Sequence, residues 1–333
     1  FTDTELHENT GFKREDFPVL LQALGIPHNI RPGKPGHEDL IRGVTALHIY
    51  FILTKRKLTL SETGRLFGRD KSAVSRAFNW MQDHLFGKLA HTVLNNLFWY
   101  APRMNEYKEA YQNRIAQVHP QGLLFNRTRN VMGAIDGSFI HIAKPSQRQE
   151  VYYNGYYGHH GYIAQCAVFP DGMMTMSLPM PAGFGTDWSA WQNLPMKNQL
   201  QDINDQRNVN GEDPVAFFGD AIYNDNPPGL LAQHRKRRGI ALAPWQLEEN
   251  SVLKTPRASV EHVFGKIKER TTSFRDFTNK MKVGSTYPLK AIILAVAWGN
   301  IHTIIAGGQT PLTFDMPRMT LHDATRVPQS GPS

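Results

Sequence analysis

The sequence predicts an α/β unit, a mixed five-stranded sheet with flanking helices, preceded by an all-α unit that carries a helix-turn-helix. Three observations support this. Apolar, β-branched runs at 131–142, 162–169 and 173–179 follow one another closely, as strands joined by short turns do. From about residue 188 helical stretches alternate with further strand-like runs at 215–219 and 240–243. Residues 40–78, by contrast, carry helical periodicity broken by a glycine, Gly68. With 333 residues and 41% hydrophobic content, the chain can bury one large core or two smaller ones.

Taken in order, residues 1–37 form a helical lead-in around 17–24 and a Pro/Gly-rich linker, Arg31-Pro32-Gly33-Lys34-Pro35-Gly36. Residues 38–87 form the helix-turn-helix unit. A helix over 40–53 precedes a second one that ends at Gly68, and Asp70 caps a third. In that third helix Ala73, Val74, Ala77, Phe78 and Met81 make the buried stripe, so Lys71, Ser72, Ser75, Arg76 and Asn79 face outward. Small hydroxyls and cations near a helix N-terminus suit a DNA major groove, and the competing reading is a helical packing unit that touches no DNA. Residues 88–128 read as helical linker with a helix over 107–118, residues 129–308 as the α/β unit, and 309–333 as an extended tail.

Composition narrows the partners. A net charge of +8 and a pI near 9.5 favour an anionic partner, nucleic acid above all. The single cysteine, Cys166, excludes an internal disulfide and a Cys-rich zinc site, and its neighbours place it in a buried strand. The apolar run 291–298 is too short to cross a bilayer, so no membrane is expected. No signal peptide is visible, although the chain opens on Phe1 rather than Met.

Acids standing in apolar runs are the candidates for chemistry. Asp136 interrupts the run Val131-Met132-Gly133-Ala134-Ile135-Asp136-Gly137, and Asp220 ends the run Val215-Ala216-Phe217-Phe218-Gly219-Asp220. An unpaired buried Asp is costly, and open α/β sheets bind ligands at the carboxyl ends of their strands. Further on, Thr255 and Pro256 read as N-cap and first turn of a helix whose stripe is Val260, Val263, Phe264 and Ile267. Glu261 lies beside that stripe, with Ala258 and Gly265 one turn away on either side as small residues that permit close approach. Each acid also has an ordinary reading: a bulge for Asp136, a helix cap for Asp220, a solvated pair with Arg257 for Glu261. Together they make three carboxylates, which suit Mg²⁺ or Mn²⁺. Three antiparallel strands followed by strands alternating with helices is the order of the RNase H-like fold, whose first and fourth strands are parallel neighbours. Asp136 and Asp220, 220 − 136 = 84 positions apart, would then stand side by side.

The segments Gly133-Ala134-Ile135-Asp136-Gly137-Ser138, Gly219-Asp220-Ala221-Ile222-Tyr223 and Ser259-Val260-Glu261-His262-Val263-Phe264-Gly265 resemble, in order, the blocks of DDE transposases of the PIF/Harbinger superfamily, nearest to their fungal and oomycete branch. Tyr153-Asn154-Gly155, Gln165, Gly185-Thr186-Asp187-Trp188 and Phe277-Thr278-Asn279-Lys280-Met281-Lys282 extend the likeness over residues 40–305. The resemblance implies an RNase H-like DDE nuclease in which Asp136, Asp220 and Glu261 are catalytic and hold two Mg²⁺ (or Mn²⁺) ions when substrate is bound. It implies hydrolysis of phosphodiester bonds at transposon ends, transfer of the 3′-OH to target double-stranded DNA, a nuclear setting, a homo-oligomer, and a separate Myb-like helper. Asp187 is a fourth candidate ligand. The family commonly has His-Asp there, whereas this chain has Thr186, and capping of a helix beginning at Trp188 is the alternative.

Cations complete the picture. His234-Arg235-Lys236-Arg237-Arg238 reads as a phosphate clamp, a nuclear address or a solvated helix end. Lys266, Lys268, Arg270, Arg275, Lys280 and Lys282 continue a basic surface beyond Glu261. Tyr152, Tyr153, Tyr156 and Tyr157, with His159 and His160, form an aromatic loop suited either to stacking on bases or to hairpin packing. Two functions follow: a metal-dependent DNA endonuclease or transposase, or a domesticated, non-catalytic DNA- or partner-binding protein that retains the fold.

Overall fold

A computed structural model describes residues 1–33, 40–56, 58–120, 126–185, 187–192, 195–223, 229–236, 240–271 and 287–325, of which 126, 187–188, 255–260 and 287 are described by their backbone alone. The N-terminal part is helical. Helices α1 (Asp3–Thr10) and α2 (Asp16–Ala23) lead to a small antiparallel ribbon of β1 (Asn29–Ile30) and β2 (Ile41–Arg42), then to α3 (Gly43–Lys55), α4 (Leu60–Phe67) and α5 (Lys71–Val93). Capping chemistry sets the ends: the Thr59 hydroxyl accepts from the Glu62 N–H while the Glu62 carboxylate accepts from that of Thr59. Gly68, at φ +62°, stops α4 in the left-handed region, and Asp70 accepts from the N–H groups of Ser72 and Ala73 to start α5. Gly64 leaves room for the turn, since a Cβ there would stand 2.4 Å from the Arg69 carbonyl.

Two expected boundaries move. The helix expected from residue 40 starts at Gly43, because Ile41 and Arg42 pair with Ile30 and Asn29. The third helix runs past residue 87 to Val93, because the buried stripe continues through Leu85, Leu89 and Val93.

After α6 (Met104–Val118) come β3 (Val131–His141), α7 (Gln149–Tyr152), β4 (Tyr153–Asn154), β5 (His159–Val168), β6 (Met174–Met176), β7 (Met180–Pro181), α8 (Asp187–Gln192) and α9 (Pro195–Val209). There follow β8 (Ala216–Gly219), β9 (Leu230–Ala232), α10 (Pro244–Arg270), α11 (Tyr287–Ala306), α12 (Gln309–Thr313) and α13 (Leu321–Thr325). The sheet is mixed and ordered β4-β5-β3-β8-β9, with β6 and β7 both pairing β5. Strand β3 is antiparallel to β5 and parallel to β8, so the expected first and fourth strands are parallel neighbours.

Several expectations are corrected here. The strand expected at 173–179 is shortened to β6, and β7 forms beyond it. The last strand of the sheet is β9, not 240–243, where Ile240 makes a single bridge and Ala243 already precedes Pro244 at the first turn of α10. The helix near 188–202 is two helices, α8 and α9. Thr255 and Pro256 lie inside α10 rather than at its start, which is fixed by Pro244 and by the Ala243 N–H donating to the Gln246 side chain at 2.9 Å. The tail expected to be extended from 309 contains α12 and α13, anchored by Phe314 against Tyr111 at 4.6 Å and by buried Leu321. Residues 326–333 lie outside the described residues.

Two layers of core flank the sheet. On one face Ala134, Ile140, Cys166 and Val168 join Val263, Phe264 and Ile267 of α10 and most of α11, and the same cluster takes in Leu47, Tyr50, Phe51 and Val74 of the N-terminal helices. On the other, Ile135, Ala167 and Phe217 meet Tyr100, Tyr107, Trp191 and Leu200. A register shift between Val131 and Gly133 moves Met132 to this second face despite its even number. Helix α11 is apolar over a longer stretch than 291–298 and is long enough to cross a membrane by length and composition, yet its Ile292, Leu294 and Val296 are fully buried in the core.

Polar groups in this interior are tied. Asp171, wholly buried at the turn before β6, accepts from Arg103 at 2.6 Å, from the Tyr107 hydroxyl at 2.8 Å and from the Met173 N–H at 3.1 Å. Its removal strands a guanidinium and a phenol, so Asp171→Ala should destabilise the fold by about 3 kcal/mol in denaturant melts. His48 and His302 carry a pH signal, since burial holds each imidazole down at about 4 from an ordinary 6.5. The unfolded chain therefore takes up protons below about pH 6.5 that the folded chain refuses until about pH 4, and stability falls as pH drops through that window. The loss should approach about 3 kcal/mol per histidine. Melting curves from pH 7 to 4.5 should flatten in His48→Phe and His302→Phe, and an unchanged slope would refute the assignment.

Candidate active site

Asp136 sits in β3 opposite Cys166 of β5 and shares its face with Ala134 and Ile140. On the other side Ala134 pairs with Phe218 of β8. Asp136 and Asp220 each follow that pair by two residues in the same chain direction. Asp220 has just left β8 and enters a short 3₁₀ turn, Ala221–Tyr223, at the carboxyl end of the strand. Each carboxylate is oriented by a backbone donor: Gly137 N–H to Asp136 Oδ1 at 2.9 Å, and Ile222 N–H to Asp220 Oδ1 at 2.8 Å. Both residues are half-buried. The Asp136 charge, after burial itself, helps push the neighbouring Cys166 thiol up, which keeps that thiol protonated and unreactive.

The face that carries Asp136 is the one α10 covers. Leu253 of α10 packs with Phe218 and Leu231, while Val263, Phe264 and Ile267 pack with Ala134 and Val168. Glu261 belongs to the stretch between these two anchor points but is exposed. Close approach through small neighbours, as read from the sequence, is not what holds it: Gly265 has open space around it, and the side chain of Ala258 lies outside the described residues.

A carboxylate in β3 and one just past the end of β8 suit a divalent cation in donor chemistry. Among the described residues, however, no three His, Cys, Asp or Glu side chains form a group that could hold a metal ion. Asp136 and Asp220 thus each lie two residues past the paired Ala134 and Phe218, while Glu261 is exposed on the covering helix. Asp187 is the first residue of α8, and its side chain, like Thr186, lies outside the described residues.

A second polar cluster lies at the same edge and escaped the sequence reading. His234 stands two residues beyond Ala232, which pairs with Gly219 next to Asp220. Its ring contacts the buried carboxylate of Glu249 on α10, which also pairs with Arg127 at 2.8 Å. Asn250 clamps the His234 backbone with two hydrogen bonds, at 2.8 and 3.0 Å. The detectable signal was that Glu249 falls at i−3 and i−4 to Val252 and Leu253, on the helix's buried stripe. His234 is accordingly part of a fixed network rather than a free member of a basic run. Arg235 and Lys236 are exposed, and Arg237 and Arg238 lie outside the described residues.

Of the other cationic and polar candidates, Lys71, Ser72 and Asn79 are exposed on α5, and Ser75 and Arg76 are half-buried. Lys266 and Lys268 are half-buried on α10, while the stretch holding Arg275, Phe277, Lys280 and Lys282 lies outside the described residues. In the aromatic loop Tyr156 is 90% exposed, whereas Tyr157 stacks on Phe139 at 4.2 Å and Tyr152 meets Tyr162 edge-on at 5.5 Å. His160 pairs with Tyr153 in the β4–β5 hairpin and belongs to no metal-holding group among the described residues.

No curated protein and no solved structure matches the chain. Residues 135–298, which begin one residue before Asp136 and span Asp220, Glu261 and the buried part of α11, match the model of a family described as DDE superfamily endonuclease, and this similarity suggests nuclease function.

Proposed function

We propose that the protein is a metal-dependent DNA endonuclease of the DDE transposase type, with an RNase H-like catalytic unit. The observation that supports this reading is the parallel pairing of β3 with β8, since Asp136 and Asp220 each follow the paired Ala134 and Phe218 by two residues. It is joined by the family similarity over 135–298. Asp136 and Asp220 would hold the cation, with Glu261 completing the set from α10 and Asp187 as a candidate fourth ligand. Magnesium or manganese, two ions with substrate present, would supply charge stabilisation at the phosphate and activate water for attack. The chain's own contribution is orientation and binding. The Gly137 and Ile222 amides hold the two carboxylates with one oxygen engaged, and the half-buried Lys266 and Lys268 of α10 would contact the phosphate backbone. Hydrolysis at transposon ends and transfer of the 3′-OH to target DNA follow from the PIF/Harbinger resemblance, as do a nuclear location, a homo-oligomer and a Myb-like helper protein.

The α4–α5 pair would read DNA through Lys71, Ser72, Ser75 and Arg76, supported by the capped, solvent-facing start of α5. Arg235 and Lys236, with Arg237 and Arg238, and Lys266 with Lys268 would add sequence-independent phosphate contacts.

A second reading has one observation behind it. Because Glu261 is exposed and no three-ligand group forms among the described residues, a domesticated protein that keeps the fold for DNA or partner binding accounts for the same coordinates. Cleavage of duplex DNA carrying the element's ends, with Mg²⁺ or Mn²⁺, separates the two. Asp136→Ala and Asp220→Ala should each lower the rate at least about a hundredfold, near 2.7 kcal/mol of barrier, with melting temperature retained. Equal cleavage by wild type and Asp136→Ala would sink the catalytic assignment, and Glu261→Ala at wild-type rate would remove Glu261 alone from the set. For the helical unit, Lys71→Ala should weaken binding across all sequences and reduce the slope of log affinity against log salt by about one. An unchanged slope would take α5 off the DNA.

A further inference from the structure

We propose that the seam between the N-terminal helices and the last turns of α10 is a binding site for a phosphoryl oxyanion, with Lys55, Lys266 and Arg270 as its cationic partners. A cavity of about 40 Å³ opens there, lined by Lys55 of α3, Lys266 and Arg270 of α10, His302 of α11, and the rings of Phe51 and Trp298. A site needs about 10–15 Å³ on this scale to hold one water, so the space admits about three. That is the size of a tetrahedral oxyanion and too small for a nucleoside.

Among the described residues the charge inside is unbalanced. All three cations are half-buried, and among the described residues none of them makes an ion pair. Burial first, and then the charge of Arg270, lowers the pKa of both Lys55 and Lys266. His302 is lowered by the same two causes. The carboxylates that act in the opposite sense are Glu269, which is exposed, and for Lys55 also Glu8, which is paired with Arg56 at 3.6 Å. Like charges drawn out of water toward one small cavity oppose folding unless an anion joins them. The rings of Phe51 and Trp298 beside them reduce screening and strengthen any such contact.

The oxyanion has two sources, free inorganic phosphate or a phosphodiester of bound DNA. The site does not depend on the carboxylates of the proposed active site, so either proposal can fail alone. The full-length chain should be melted in sodium phosphate and in sodium chloride of equal ionic strength, and its affinity for a DNA duplex measured by fluorescence anisotropy. Wild type is compared with Lys55→Gln, Arg270→Gln and the surface control Lys13→Gln.

Without phosphate or DNA, the two pocket variants should melt at or above the wild-type temperature, because a repulsion has been relieved. With phosphate, wild type and Lys13→Gln should gain stability over chloride, and each pocket variant should bind phosphate on the order of tenfold more weakly. If phosphate has no effect but both pocket variants lose duplex affinity beyond the control, the occupant is a DNA phosphate and the site stands. Identical responses of wild type and both pocket variants to phosphate and to DNA would overturn it. So would a lowered melting temperature of both variants in chloride, which would make the cations structural.

Discussion

The pairing of β3 with β8 is the constraint on which the rest of the structure depends. Parallel strands cannot be joined by a tight turn, so the chain between them must travel away and return. Here it makes the antiparallel strands β5, β6 and β7 and the helices α8 and α9 before returning. Those excursions bring Trp191 and Leu200 to the second core layer, where they join Phe217 of β8 and Tyr107 of α6, and that layer fixes β8 against β3. Because side chains alternate with a period of two, a one-residue slip of β8 would carry Phe218 off the face that packs Leu253. The same slip would separate Asp136 from Asp220. Core packing and placement of the acids are therefore one requirement.

Helix α10 shows how tertiary packing overrides a local stop signal. Pro256 in a helix interior removes a hydrogen bond and costs about 3 kcal/mol relative to alanine. The helix nevertheless continues, because it is anchored on both sides of the proline: Val252 and Leu253 are buried before it, and Val263, Phe264 and Ile267 after it. Burial of five large apolar side chains at about 1.5–3 kcal/mol each exceeds that cost. A reading of residues 255–268 alone sees a proline that begins a helix, since the eleven residues before it show their helical role only through what they cover.

That contrast marks what the sequence made legible. Caps and glycine stops are local chemistry, and the Gly68 and Asp70 signals agree with the end of α4 and the start of α5. The long strands β3 and β5 were also plain, because the apolar runs read at 131–142 and 162–169 cover most of both, although β5 starts three residues earlier, at His159. Strand β9 was missed because its three residues have no length from which to read a period; it is a strand only because β8 offers it an edge. The acids of the site were readable where they interrupt apolar runs, as with Asp136 and Asp220. Glu249 was not, because a buried carboxylate is recognised by its partners, and Arg127 and His234 stand 122 and 15 positions away.

The N-terminal helices and the sheet share a single buried cluster, which bears on how a DNA-reading surface and an acid site would communicate. Tyr50 and Phe51 of α3 pack on Trp298 of α11, and α11 shares the core with Ile267 of α10. A displacement of α3 relative to the sheet would open apolar surface along this whole contact, so α3 through α5 and the C-terminal half of α10 are held in one geometry. Glu261 lies on that half of α10, while Lys55 ends α3 and faces the same cavity as Arg270. An anion seated between Lys55 and Arg270 would bridge the helices at a desolvated seam of like charge and so remove the repulsion that works against their contact. On the proposed reading, DNA engagement by the helical unit and placement of Glu261 over Asp136 and Asp220 are coupled through this cluster, since both depend on where α10 lies against α3 and α11.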